Sequence, residues 1–309
     1  MRIGITGGTG FIGQCLLRDF ADSHEFVAFT VNPQREGLFQ HENVRYVAIQ
    51  RTGDKGCSFD SNAASALESC DAAANLGFSR PFSFGTDCFE NYVPSILASN
   101  RFLEACIEAG ITNIAHISTR SVYSKTFVKP HVEDEAIEPF SYYGAAKASA
   151  ETTASVLNVG GKAHIKVLRL AQIIGANETQ GVVSASIRNA KAGKPLQVWG
   201  GGGEIAREYL YVRDATAAIM ASLQKPEAQG VFNIGTGQMT TVADLMQMIA
   251  VISEERGNHV KIEHYPEKHV EPMNACMDVA KAANVFGWRS SWTIEQALRA
   301  IYDDADSLY

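Results

Sequence analysis

"MRIGITGGTGFIGQCLLRDFADS", residues 1–23, is the stretch on which the fold turns. Its first eight residues read as a strand running into a turn. From Phe11 onward apolar residues recur at helical spacing until the polar stop at Asp22-Ser23. At the junction, "TGGTGFIG" (6–13) sets Gly7, Gly10 and Gly13 between strand and helix. Glycine is needed there because the turn is tight and a ligand phosphate must approach the backbone closely. The helix start then offers free N–H groups and the positive end of its dipole to a pyrophosphate. A glycine pattern alone is weak. Its strand–turn–helix context, at the start of an alternating chain, turns it into an expectation of dinucleotide binding by Gly7, Gly10, Phe11, Ile12 and Gly13.

Working outward, "EFVAFTV" follows as a second strand, and "VRYVAIQ", "CDAAANLG", "NIAHIST" and "HIKVLRLAQIIG" are further apolar runs of strand length. Helical stretches such as "VPSILASNRFLEACIEAG" and "YYGAAKASAETTASVLN" separate them. The alternation predicts βαβ units and an α/β fold, a Rossmann-type doubly wound parallel sheet covered on both faces. After residue 172 the rhythm loosens into the Gly-rich "AGKPLQVWGGGGEIAREYLYV", followed by a helix over "TVADLMQMIAVISEE" and a polar stretch. This predicts a dinucleotide-binding domain over 1–172 and a smaller α/β substrate domain over 173–309, with part of 205–240 returning to the first.

The chain has 309 residues, 46% hydrophobic and 20% charged, with a net charge of −7. That composition describes an ordinary globular protein and argues against a nucleic-acid partner. The six cysteines, Cys15, Cys57, Cys70, Cys88, Cys106 and Cys276, form neither a CxxC pair nor a dense framework and read as reduced thiols. No apolar run reaches about 18 residues and no signal peptide is evident, so a cytoplasmic protein without a membrane partner is expected. His259, His264 and His269 recur every five residues, which matches no common zinc spacing, and no metal is expected. "GGGGE" (200–204) lacks the Lys-Ser/Thr of a phosphate loop and reads as a flexible turn.

The acid that usually holds a ribose diol near the end of the second strand is absent. "FTVNPQREG" puts Val31, Asn32 and Arg35 there, and Gln50 ends the next strand. Asn32 can bond a ribose hydroxyl, whereas Arg35 can accept a 2′-phosphate, so the residues leave NAD and NADP open. Gly77, closing "CDAAANLG", joins the expected cofactor-binding set.

"SYYGAAKASAE" (141–151) carries Tyr143 four residues ahead of Lys147 within a run of small side chains. On a helix i and i+4 share a face. An ammonium close to a phenol favours the phenolate, which makes Tyr143 a usable proton shuttle near neutral pH. The small residues between are expected to leave room for a cofactor.

With "TGGTGFIG", "HISTRSVY" and "YYGAAK" in this order, the chain resembles the extended short-chain dehydrogenase/reductase family, and within it the nucleotide-sugar epimerases and dehydratases. "LRLAQIIG", "REYLYVRDA", "GVFNIGTGQ" and "MDVAKAANVFGW" extend the likeness through nearly the whole chain. The resemblance implies that Tyr143 is the catalytic acid/base, that Lys147 lowers its pKa and bonds the nicotinamide ribose, and that Thr119 bonds the reacting sugar hydroxyl. It implies a pyrophosphate clamp at Arg207, a second cation near Lys268, and further substrate contacts from Arg80 and Gln172. The family's 4,6-dehydratases carry Asp-Glu directly after the threonine. Here Arg120-Ser121 stands instead, which disfavours dehydration, and Ser121 stands where a 3,5-epimerase has cysteine. Gln172 and Ser95 replace two frequent asparagines, so the sugar's identity stays open. The implied activity is epimerisation of a nucleotide-diphosphate sugar, at C4 of a UDP- or dTDP-sugar, with bound NAD, in a homodimer. The alternatives are an NADPH-dependent reductase of a keto sugar or other carbonyl compound, and a non-catalytic dinucleotide sensor.

Overall fold

The computed structural model describes residues 1–53, 56–79, 87–125, 129–179, 181–200, 205–265 and 276–304. Strand β1 (Arg2–Thr6) sends Ile3 and Ile5 into one apolar layer and Gly4 into the other, where a Cβ would lie 3.0 Å from Leu67. Helix α1 (Phe11–Phe20) follows with Leu16 and Leu17 buried. Strand β2 (Glu25–Thr30) repeats the alternation, Phe26 and Ala28 on the face of Ile3, Val27 and Phe29 on the opposite one. Each of the larger side chains, Ile3, Ile5, Leu16, Leu17, Phe26, Val27 and Phe29, contributes about 1.5–3 kcal/mol by its burial.

Strand β3 (Val44–Ala48) stops before Gln50, so the expectation that Gln50 ends it is corrected. Gln50 instead begins β4 (Gln50–Thr52), which pairs antiparallel with β5 (Gly56–Ser58) outside the main sheet. The chain then forms α2 (Ser61–Glu68), β6 (Ala72–Asn75), α3 (Val93–Glu108), β7 (Asn113–Thr119), α4 (Tyr142–Val159) and β8 (His164–Leu170). Next come β9 (Gln172–Ile174), α5 (Val182–Lys191), β10 (Leu196–Trp199), β11 (Ala206–Arg207), β12 (Tyr209–Tyr211), α6 (Val212–Leu223) and β13 (Gly230–Ile234). The last elements are β14 (Thr240–Thr241), α7 (Val242–Glu255), β15 (Ile262–Tyr265), α8 (Ala280–Phe286) and α9 (Ile294–Asp304).

Seven parallel strands make the central sheet, in the order β13-β8-β7-β6-β1-β2-β3. The fold is therefore Rossmann-like, with helices on both faces. Helices α1, α6 and α8 enclose one apolar layer, and α2, α3 and α4 the other. A third core gathers α5, α7, α9, β10 and β12. "HIKVLRLAQIIG", one run in the sequence, is split at Ala171. The Ala171 N–H still donates to Ile234 of β13, whereas Gln172 donates to Glu208, so the chain changes partners within one residue. Strand order reverses between β1 and β6, and in open α/β sheets the crevice beyond such a switch point is where ligands bind. Among the described residues no helix is long and apolar enough to cross a membrane.

Candidate active site

The turn after β1 is built for close backbone approach. Gly7 has φ +72°, and a Cβ there would lie 2.7 Å from the Gly77 nitrogen, so the turns after β1 and β6 touch. A Cβ at Gly13 would lie 2.2 Å from the Gly7 carbonyl oxygen. These two glycines serve packing of the protein on itself. Gly10 differs: a Cβ there would meet only the Gly7 oxygen, at 3.3 Å, and otherwise fill the space above the turn. Gly10 is also the N-cap of α1 and supplies no side-chain cap to its first N–H groups. Open space over an uncapped helix start fits a pyrophosphate. Gln14 stiffens the turn by donating to the Gly8 carbonyl, and the Gly77 N–H donates to Thr6 Oγ1 at 3.2 Å. Asn32, at the exposed edge beyond β2, accepts from the Gln34 N–H, while Arg35 reaches back to donate to the Thr9 carbonyl at 3.4 Å. Gln50 is exposed in its hairpin and is not among the cleft-lining residues.

A cleft of about 840 Å³ opens beside this turn, lined by Phe11 and Ile12 from α1, Thr119, Arg120 and Ser121 after β7, Tyr143, Gln172, and Arg207. Thr119 closes β7 and caps the short helical turn that follows, accepting from the Ser121 N–H at 3.2 Å. Ser141 caps α4 by accepting from the Gly144 N–H, which places Tyr143 in the helix's first turn and Lys147 one turn further. A Cβ at Gly144 would lie 2.2 Å from the Ser121 carbonyl oxygen. Smallness at this position therefore lets α4 press against the Thr119 turn, rather than making room for a cofactor.

Tyr143 is half-buried, its ring edge-on to Phe78 and tilted against Tyr92. Lys147 is buried, donates from Nζ to the Ile117 carbonyl at 2.9 Å, and sits 4.2 Å over the Phe78 ring. Burial pushes its ammonium down to about 7, opposed by the carboxylate of Glu151. Glu151 in turn pairs with buried Arg169 at 2.7 Å and accepts from Ser118, which ties α4 to β7 and β8 beneath the cleft. Beside Lys147, His116 is buried with both ring nitrogens unpartnered; burial first, and the lysine second, push it down to about 3.

The far wall comes from the second half of the chain. Arg207 donates to Gln172 Oε1 at 3.5 Å, so the structure brings these two expected substrate residues together. Buried Glu208 follows, accepting from the N–H groups of Thr236, Gly237 and Met277, and thereby fixes the strand that carries Arg207. Arg80 and Lys268 lie outside the described residues. Ser95, at one of the replaced asparagines, accepts from the Ser79 N–H at 3.1 Å.

Sequence reasoning passed over three cleft residues or their supports. Phe78, which joins Tyr143 to Lys147, carried no spacing signal. Trp199 is 45% exposed and lines the cleft, and its only signal was an apolar side chain beside the Gly-rich stretch. Arg120 was read only as a missing acid, although a charge directly after an apolar strand was itself a signal.

Sheet, glycine turn and cleft together are those of an extended short-chain dehydrogenase/reductase. A model of the NAD dependent epimerase/dehydratase family matches residues 3–235, and the chain belongs to that family. It is 26% identical to an uncharacterized UDP-glucose epimerase, YtcB, of Bacillus subtilis, over 100% of this chain and 99% of that one. It is 25% identical to a dTDP-L-rhamnose 4-epimerase of Burkholderia thailandensis, covering 96% and 93% of the two chains. Among solved structures it resembles a UDP-glucuronic acid 4-epimerase of Bacillus cereus in complex with UDP-glucuronic acid and NAD. That likeness has a TM-score of 0.83 at 24% identity over 100% of each chain.

Proposed function

We propose that the chain is a nucleotide-sugar epimerase that inverts one carbinol carbon, C4 of a UDP- or dTDP-sugar, with NAD held at the glycine turn. One observation carries the reading: a single cleft joins Phe11 and Ile12 of the turn, Thr119 and Tyr143, and the Gln172–Arg207 pair. The family, and the relatives named as epimerases, support it. Gly10 and the α1 N-terminus would hold the pyrophosphate, over a turn that Gly7 and Gly13 keep tight, and Asn32 would bond the adenosine ribose. Bound there, the nicotinamide supplies reversible acceptance of a hydride.

The chain's own residues do the rest. Thr119 fixes the reacting hydroxyl by hydrogen bonding, and Tyr143 takes that hydroxyl's proton and later returns it. Lys147 commits one N–H to Ile117 and would offer its remaining donors to the nicotinamide ribose. Arg207 clamps the diphosphate, a task suited to its planar, permanently charged fork. We also infer that residues 173–309 act as the substrate-holding domain, apart from α6, β13 and α8, which pack on or join the central sheet. Two copies of the chain pair through α3 and α4, where Val156 and Val159 of α4 are exposed.

A panel of UDP-, dTDP- and GDP-sugars tests the reading. Isomeric product forms without added cofactor if it holds, and no turnover on any sugar contradicts it. Arg35 beside the glycine turn favours a second reading, an NADPH-dependent reductase binding the 2′-phosphate there. That enzyme consumes cofactor stoichiometrically, which the same panel reveals.

A further inference from the structure

Among the described residues the other buried cations are bonded: Arg169 pairs with Glu151, Lys166 bonds Asn113, and Lys147 bonds the Ile117 carbonyl. Arg120 is the exception. It is 6% exposed and lines the cleft, yet among the described residues its guanidinium makes no hydrogen bond or ion pair. Its surroundings are Arg207, Glu208 and Tyr209. The Glu208 carboxylate attracts it from a distance while Arg207 repels it, but the oxygens of Glu208 accept from three backbone N–H groups and none bonds the guanidinium. A guanidinium does not shed its proton near neutral pH, and buried N–H donors that face a cleft without acceptors call for a ligand that supplies them, best an anionic one.

Its place along the cleft says which anion. Arg120 directly follows Thr119, and the charge of Arg207 is felt at it. On the reading above, the sugar spans those two points, from the reacting carbon to the diphosphate. A neutral hexose offers only hydroxyls to a cation there, whereas a carboxylate matches the planar fork with two parallel bonds. Two cations facing one cleft also match a substrate with two anionic groups. Among the described lining residues the single acid is Glu178, and burial raises its carboxyl toward the neutral form.

We propose that Arg120 is a specificity-determining residue that receives the carboxylate of a uronic-acid nucleotide sugar. The proposal rests on the nucleotide-sugar reading of the site. Calorimetric titration of the full chain with UDP-glucuronate, UDP-glucose and UDP tests it, in the native protein and in Arg120→Met and Arg120→Lys. The native chain should bind UDP-glucuronate at least about tenfold more tightly than UDP-glucose. In Arg120→Met the ratio of UDP-glucuronate to UDP affinity should fall at least about 30-fold, with partial recovery in Arg120→Lys. Should Arg120→Met fail to melt cooperatively, Arg120→Lys alone decides: it keeps the charge and loses the fork, so its ratio must still fall.

Equal affinity of the native chain for the two sugars overturns the proposal. So does a parallel loss of UDP-glucuronate and UDP, which makes Arg120 a diphosphate clamp; in both cases the epimerase reading stands. If neither nucleotide sugar binds, that reading fails and takes this proposal with it.

Discussion

At the scale of single residues, the proposed mechanism sets Tyr143, which lines the cleft, on top of Lys147, which is buried. Lys147 faces a carbonyl and an aromatic ring while Tyr143 faces the cleft. Tyr143→Phe should therefore lower turnover by about 10²–10⁴ while the purified variant keeps its nucleotide, as the mass of the released cofactor will show. Normal turnover would remove Tyr143 from the reaction. His116 supplies a separate, pH-dependent test. Burial holds it at about 3 in the folded chain, far below its ordinary value, so the folded state refuses a proton that the unfolded chain accepts. Its contribution to stability is then complete above pH ~6.5 and declines as pH falls toward ~3, by at most about 1.4 kcal/mol per unit. Denaturant titrations from pH 4 to 8 should show a flatter acid limb in His116→Phe; parallel profiles would mean that His116 is not held neutral. The Tyr-Lys spacing was legible in the sequence because a helix converts four residues into one face. The burial of His116 was not, since one histidine in "NIAHIST" has no spacing to read.

Elements explain why the small residues of α4 matter. Gly144 lets the helix meet the backbone after β7, so the turn that follows Thr119 and the helix start that carries Tyr143 are held together by a contact that no larger side chain permits. Gly144→Ala should cost about 1–3 kcal/mol in thermal unfolding and depress turnover together with it, whereas unchanged melting would contradict the close approach. The exposed end of α4 makes a different prediction: Val159, 91% exposed, lies in the surface assigned to self-association. Val159→Asp should convert a sedimenting dimer into a monomer, and a native chain that sediments as a monomer would dismiss that assignment. Strands β1, β2, β6 and β7 were legible because buried parallel strands read as short apolar runs. The partition of "HIKVLRLAQIIG" was not, because the change of partner at Ala171 depends on Glu208 and Ile234, both distant in sequence. Gln50 failed for a related reason: nothing local says that β3 gives way to a hairpin after Ala48.

Over the whole molecule, the sheet order places the glycine turn, Thr119 and Tyr143 at one edge, while the chain beyond β8 supplies the opposing wall. The strand–helix alternation announced the sheet, but the meeting of Arg120 with Arg207 and Glu208 exists only after folding. The central claim is that hydride leaves and returns to one sugar carbon through a bound cofactor, with Tyr143 moving the proton. Incubation of the purified protein in D₂O with UDP-glucuronate and UDP-glucose, followed by proton NMR of the sugar, tests it most directly. The account predicts a C4-inverted product that keeps its carbon-bound hydrogens, formed without added cofactor. Deuterium at a sugar carbon, or product only in proportion to added reduced cofactor, would contradict it.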